Sequence, residues 1–148
     1  MPLDFRVRIP FVEALGFELL RFAEGEAEVA VPPRDDLVNH LGILHGGVVM
    51  TLLDVAMAHA VRSLDEAAMA EGAGLVTIEM KTSFMRPGVG RVRAVGKVLR
   101  KTASIAFCEA SAYDAAGELA AHSTGTFKLL KHVPPGGRKL ERQAAPPA

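Results

Sequence analysis

The stretch Asn39-His40-Leu41-Gly42-Ile43-Leu44-His45-Gly46-Gly47-Val48-Val49-Met50-Thr51-Leu52-Leu53-Asp54-Val55-Ala56-Met57-Ala58-His59-Ala60-Val61 decides how the rest of the chain is read. From Arg34 to Leu44 the chain is polar and irregular, and Gly46-Gly47 then opens a run that is apolar on almost every side through Val61. Only Thr51, Asp54 and His59 interrupt it. The run is shorter than the ~20 residues a membrane span needs, so the protein itself has to enclose this helix.

The flanking segments supply candidates for the enclosure. Upstream, Pro10 followed by Phe11 to Gly16 reads as one short helix with proline at its start and glycine at its stop, a lid or end cap. Strands Glu18–Phe22 and Glu26–Val31 form a hairpin across Ala23-Glu24-Gly25, ended by Pro32-Pro33. Downstream, four segments alternate with period two. In Val76–Phe84 the apolar set is Val76, Ile78, Met80 and Phe84, with Thr77, Glu79, Lys81 and Ser83 opposite. A turn at Arg86-Pro87-Gly88 leads to Arg91–Arg100, where Val92, Ala94 and Val98 oppose Arg91, Arg93 and Lys97. Ser104–Tyr113 and Glu118–Leu130 complete the set, joined through Asp114-Ala115-Ala116-Gly117.

The expected order is hairpin, enclosed helix, then a four-stranded antiparallel meander. That makes an α+β domain in which one antiparallel sheet wraps around a central helix. Residues 1–132 form this single domain, and the Pro/Gly/Ala-rich residues 133–148 read as a flexible C-terminal tail.

Two features of the quoted stretch bear on chemistry. Paired glycines at a helix start let a ligand approach bare backbone, where free N–H groups and the positive dipole end favour an anion such as an oxyanion. The same pair also serves a tight turn and close packing with no ligand at all. Asp54 lies two turns inside the helix, where an unpaired charge is costly and raises its own pKa. Its helical neighbours Met50, Thr51, Met57 and Ala58 include no cation. It needs a cleft, a proton or a partner from the sheet, such as Lys81 or Thr82.

Gly46 and Asp54 are separated by about 12 Å along a helix, too far for both to touch one small reacting group. If two copies pack with their helices antiparallel, Asp54 of one sits near the Gly46 end of the other, giving two shared sites per dimer.

The pattern Asn39-x-x-Gly42-x-x-His45-Gly46-Gly47 with a carboxylate at Asp54 closely resembles the hotdog-fold acyl-CoA thioesterases of the PaaI-like and thioesterase-superfamily-member-2 group. The similarity extends through Thr77-x-Glu79-Met80-x-x-Ser83-Phe84-Met85-Arg86-Pro87 and covers most of residues 11 to 131. The resemblance implies that the Gly46 N–H binds the thioester oxygen, with Gly47 beside it at the substrate. It implies that His45 and Asn39 orient the carbonyl and the attacking water. Asp54 from the partner subunit would be general base or nucleophile, and Thr77 falls where some members carry an assisting Ser. Some relatives have a hydroxyl one turn after the carboxylate, where this chain has Ala58. The resemblance further implies a homodimer or homotetramer.

Of the basic residues at strand ends, Arg86, Arg91, Arg100 and Lys101 are placed to meet the phosphates of coenzyme A, Arg86 foremost because it lies within the resemblance. Equally, they are ordinary solvated turn residues. Met50, Met57 and Phe84 either line an acyl tunnel or fill the core.

Composition narrows the alternatives. Lys+Arg and Asp+Glu both number 17, so no net field gathers nucleic acid or an anionic membrane. Hydrophobic residues make up 49% with one Tyr and no Trp, so Ala, Val and Leu fill the interior, and solubility near a pI of about 7.0 relies on burying apolar surface in an oligomer. The single cysteine, Cys108, allows neither an intrachain disulfide nor a cysteine-rich metal site. With no signal-like run in Met1–Phe11, the expected location is cytoplasmic.

No metal and no cofactor is expected, coenzyme A entering only as part of an acyl-CoA substrate. His40, His45, His59 and Asp54 lack metal-site spacing, and there is no Gly-x-Ser-x-Gly elbow, Walker loop or dinucleotide fingerprint. Two further readings remain beside thioester hydrolysis. One is a hotdog hydratase or dehydratase using His45, and the other is a non-enzymatic acyl-CoA-binding dimer.

Overall fold

The computed structural model describes residues 1–131. The expected tail, 133–148, lies outside the described residues. In chain order the elements are α1 (Pro10–Ala14), β1 (Glu18–Ala23), β2 (Glu26–Val31), a 3-10 turn (Asp35–Leu37), α2 (Gly46–Leu64), α3 (Glu66–Ala70), β3 (Gly74–Phe84), β4 (Val92–Lys101), β5 (Ile105–Tyr113) and β6 (Leu119–Leu130). Six antiparallel strands make one sheet in the order β1-β2-β4-β5-β6-β3, curled around α2. This is the hotdog arrangement.

The helix sits deep because the sheet offers it small residues. Ala94, Ala106, Ala110 and Ala112 are buried beneath it, and Leu52, Leu53, Ala56, Met57 and Val61 of α2 are fully enclosed. At Gly96 the approach is closest: a Cβ built there would lie 2.4 Å from the backbone carbonyl of Ala56 and 2.7 Å from the Met57 nitrogen. Only glycine admits helix backbone so near a strand. By length and mean hydropathy (1.4) α2 would qualify as a membrane span, but half of that window is buried in the protein's own core.

Enclosure is not complete. Thr51, Asp54, Ala58 and Arg62, spaced three and four residues apart, form one half-buried stripe, while Val55, Ala56, Met57, His59, Ala60 and Val61 are buried. The expectation of a helix covered on every side is corrected on this stripe. α1 and its N-cap Ile9 lie alongside it, with Phe11 and Val12 placed as a lid would be.

The expected meander is also corrected. β3 does not pair with β4; it pairs with β6, over registers from Gly74↔Leu130 to Phe84↔Ala121, and forms an edge of the sheet. The link 85–91 is therefore no hairpin turn. It crosses the end of the sheet, held where the Leu44 N–H donates to Gly88 O (3.0 Å) and the Ala115 N–H to Val89 O (3.2 Å). Two intervening strands, β5 and β6, fill the ~14 Å that this crossing spans.

The expected faces of β3 hold in its second half only. A bulge between Thr77 and Glu79 inserts Ile78 as an extra residue. After it, Met80 packs against the core and Phe84 lies over Gly46, as read from the alternation. Before it the phase is reversed: Thr77 points to the helix, while Val76 and Ile78 are 45% and 53% exposed. One extra residue exchanges the two faces of a strand.

Candidate active site

The loop before α2 is folded by Asn39. Its Oδ1 accepts from the N–H of Leu41 (2.9 Å) and of Ile43 (3.4 Å), its backbone pairs with Ile43 and Gly42, and Gly42 takes the positive φ of 75° that the reversal requires. The carbonyl half of the amide is thus spent on the loop. The Nδ2 group makes no hydrogen bond among the described residues.

His45 caps α2, with its Nδ1 accepting from the Gly47 N–H at 2.9 Å. The bond puts any ring proton of neutral His45 on Nε2. It also occupies the Gly47 N–H, which narrows Gly47's part to backbone clearance. The Gly46 N–H, in contrast, has no acceptor among the described residues and opens on a cleft of about 340 Å³ that Asn39, Phe84, Arg86 and Pro87 also line. The helix dipole adds positive potential at that point. Asn39, Gly46 and Arg86 therefore share one cleft, with His45 and Gly47 at its helix-cap edge.

Asp54 lies elsewhere. Together with Thr51, Ala58, Arg62, Leu75, Thr77 and Phe127 it lines a second pocket of about 230 Å³, bounded by α1. The Thr77 hydroxyl donates to Asp54 Oδ1 at 2.7 Å. The carboxylate's sheet partner is therefore Thr77 and not Lys81 or Thr82; Thr82 is hydrogen-bonded to Ser123 instead. Burial pushes the Asp54 carboxyl above its usual range, and the Thr77 hydroxyl and the positive charge of Arg62 pull it part of the way back. The result is a carboxylate more basic than an exposed one, with Oδ2 free of hydrogen bonds among the described residues.

Arg62 does not figure in the sequence motif. It stands two turns beyond Asp54 on the same stripe, and burial lowers its pKa to about 10, so it stays charged at neutral pH. Its i+8 spacing from Asp54 and i+4 spacing from Ala58 were the legible signals. Across the helix His59 is fully buried; it pairs Nδ1 with Val55 O at 2.8 Å and packs edge-on against Phe5 and Phe22. Desolvation, with the nearby charge of Arg62, lowers its pKa to about 3. It is a neutral core residue. Met57 is core as well, whereas Phe84 lines the Gly46 cleft. Among the described residues no group of three or more His, Cys, Asp or Glu side chains is arranged to hold a metal.

The residues that the resemblance points to thus lie in separate pockets of one chain: the N-terminal end of α2 with Asn39 and Arg86, and the raised Asp54 carboxylate with Thr77. Comparison with known proteins gives this geometry a context. Residues 41–121 match the family model described as Thioesterase superfamily. A protein of Thermoplasma volcanium named as an esterase is 34% identical over 122 residues, 82% of this chain and 88% of its own. A protein of Escherichia coli named medium/long-chain acyl-CoA thioesterase YigI is 29% identical over 138 residues, covering 84% of this chain and 88% of that one. Among solved structures, a variant of the phenylacetic acid degradation protein PaaI from Thermus thermophilus superposes with a TM-score of 0.70 at 32% identity, covering 81% of this chain and 98% of that one.

Proposed function

Because the chain belongs to the thioesterase superfamily, we propose that it hydrolyses an acyl-CoA thioester to the free acid and coenzyme A, in sites shared between two copies. The observation that carries this reading is the raised Asp54 carboxylate, fixed by Thr77, in a pocket apart from the free Gly46 N–H. Eight residues along one helix keep the two groups about 12 Å apart in any one chain. A second helix running antiparallel brings each carboxylate to the other chain's helix end.

In this reading the thioester oxygen rests on the Gly46 N–H, where negative charge grows as water adds to the carbonyl carbon. Asp54 Oδ2 of the partner takes a proton from that water, and the water oxygen forms the new C–O bond. When the C–S bond breaks, the sulfur leaves as thiolate and takes the proton held on Asp54, which gives the coenzyme A thiol and restores the carboxylate. The acid product keeps the oxygen that came from water. Asn39 Nδ2 and His45 Nε2, the donors left free by the loop and the cap, orient the carbonyl and the water. Arg86 at the mouth meets a phosphate of the coenzyme. Thr77 holds Oδ1 so that Oδ2 presents its lone pair to water. The chemistry calls for no cofactor beyond the substrate's own coenzyme A, and a cytoplasmic location suits a coenzyme A ester.

Acyl-CoA turnover followed with a thiol reagent tests the reading. Asp54→Ala is expected to lower kcat at least ~100-fold while the oligomer stays folded, a loss in the range of a positioned base. Unchanged kcat removes Asp54 from the chemistry. Tight acyl-CoA binding with no turnover by the wild type would leave a binding protein instead.

A further inference from the structure

The pocket that holds Asp54 continues along α2 past Ala58 and ends at Arg62. Leu75, Phe127, the α1 residues Phe11 and Val12 and the α1 N-cap Ile9 give it apolar walls. Into this apolar space the structure puts a guanidinium whose Nη1 is buried without a hydrogen-bond partner among the described residues. Arg62 makes no ion pair within 4 Å there either; Asp54 acts on it only through space.

A buried charged donor with no acceptor is expensive, typically a few kcal/mol, and persists only when something needs it. Core packing does not need it, because a Met or Leu would fill the end of an apolar pocket more cheaply. The Asp54 charge is felt by Arg62 only through space, while Thr77 takes the direct bond to the carboxylate, so Nη1 itself is left without an acceptor among the described residues. What the guanidinium offers is a planar fork of donors at the far end of the acyl space, a shape that matches a carboxylate.

Resting on the thioesterase reading above, we propose that this pocket takes acyl groups ending in a distal carboxylate, and that Arg62 is the residue that selects them. The substrate class is the coenzyme A ester of a short dicarboxylic acid. Its thioester end lies beside Asp54, and its free carboxylate supplies the missing acceptor for Nη1. Helix geometry bounds the length: the span from Asp54 to Arg62 is below about 12 Å, which roughly four to eight carbons cover. A methyl-ended acyl group of the same length leaves the buried donor unpaired and so binds less well.

The test compares two acyl-CoA esters of equal chain length, one ending in a carboxylate and one in a methyl group, with wild type, Arg62→Met and Arg62→Lys. The same three proteins are titrated calorimetrically with the corresponding non-hydrolysable thioethers. Wild type is expected to favour the carboxylate-ended member of each pair by at least about tenfold, in kcat/KM and in Kd, the range of one charge-assisted contact. Arg62→Met reverses both ratios and Arg62→Lys leaves them intermediate. A wild-type ratio at or below one, or ratios that Arg62→Met leaves unaltered, overturns the proposal and makes Arg62 a structural residue. If Arg62→Met fails to fold, the Arg62→Lys ratios decide in its place. If neither ester is hydrolysed by wild type, the thioesterase reading falls by itself, and the thioether Kd ratio still decides what Arg62 recognises.

Discussion

At the scale of single residues, the site shows how burial tunes two groups on one helix in opposite directions. Asp54 is raised, so its folded pKa exceeds the unfolded one, and its ionisation opposes folding: the associated stability is full below the ordinary carboxylate range and is lost as pH rises through the raised value. Asp54→Asn is therefore expected to remove activity yet raise Tm at pH 7 by ~2–5 °C, read from thermal melts. A lower Tm would mean that the charge is well paired in the fold. Thr77 has the complementary part. Thr77→Val deletes the bond that lowers the Asp54 pKa, so the acid limb of the kcat/KM profile should move to higher pH and kcat should fall ~10-fold. His59 gives a third outcome. Its pKa falls from 6.5 to about 3 on folding, so the unfolded chain binds the extra proton between those values and stability is lost as pH drops through that window. The slope approaches about 1.4 kcal/mol per pH unit, and His59→Phe should flatten that part of the denaturation curve against pH. Of these three residues, only Asp54 and Thr77 stood out in the sequence as candidates. Their contact spans 23 positions and depends on a bulge, which no spacing rule reveals.

At the scale of elements, α2 is legible as an apolar run and the two hairpin-joined strands β4 and β5 by their alternation, which in β4 holds up to the register shift between Val98 and Arg100. β3 is not, and the reason is local. Its apolar residues alternate cleanly through Val76, Ile78 and Met80, but Ile78 is the bulged residue, so that alternation runs across a change of face. Its neighbour was equally hidden, since adjacent strands in sequence are usually adjacent in space, whereas β5 and β6 both lie between β3 and β4 here. The depth of α2 was also out of reach, because it depends on Gly96 meeting helix backbone. That contact makes a sharp comparison. Gly96→Ala sets a methyl group against the Ala56 carbonyl, which cannot yield without moving the helix, whereas Gly125→Ala meets the far end of the Met57 side chain at 2.9 Å. Chemical denaturation should show Gly96→Ala costing ~3 kcal/mol or more, and Gly125→Ala clearly less. Equal costs would mean that the helix rides more loosely than its contacts suggest.

At the scale of the whole molecule, the site proposed above, with Gly46 and Asp54 in separate pockets of one chain, calls for a second copy. β3 offers the means: it is a sheet edge carrying exposed Val76 and Ile78, and a long uncovered edge with apolar side chains pairs readily with another. Ile78→Lys is expected to shift the protein toward monomer in gel filtration and to remove activity with it. Mixing Asp54→Ala with Asn39→Ala subunits, each impaired alone, should restore part of the activity, because one site in the mixed dimer retains both native residues. No recovery would place each site within a single chain. The expectation of two copies comes from the length of the helix alone, while the exposure of Val76 and Ile78 was not legible, since the bulge turns them outward.

The antiparallel sheet surrounds α2 and grips it through Gly96, whereas β3 is hydrogen-bonded along one side only. Helix amides should therefore exchange with deuterium only when the whole domain opens, and those of β3 much sooner in the monomeric Ile78→Lys chain, where no second copy covers the edge. On the proposed reading, adjustment to an incoming acyl group is expected in the strand that carries Thr77 and not in the helix that carries Asp54.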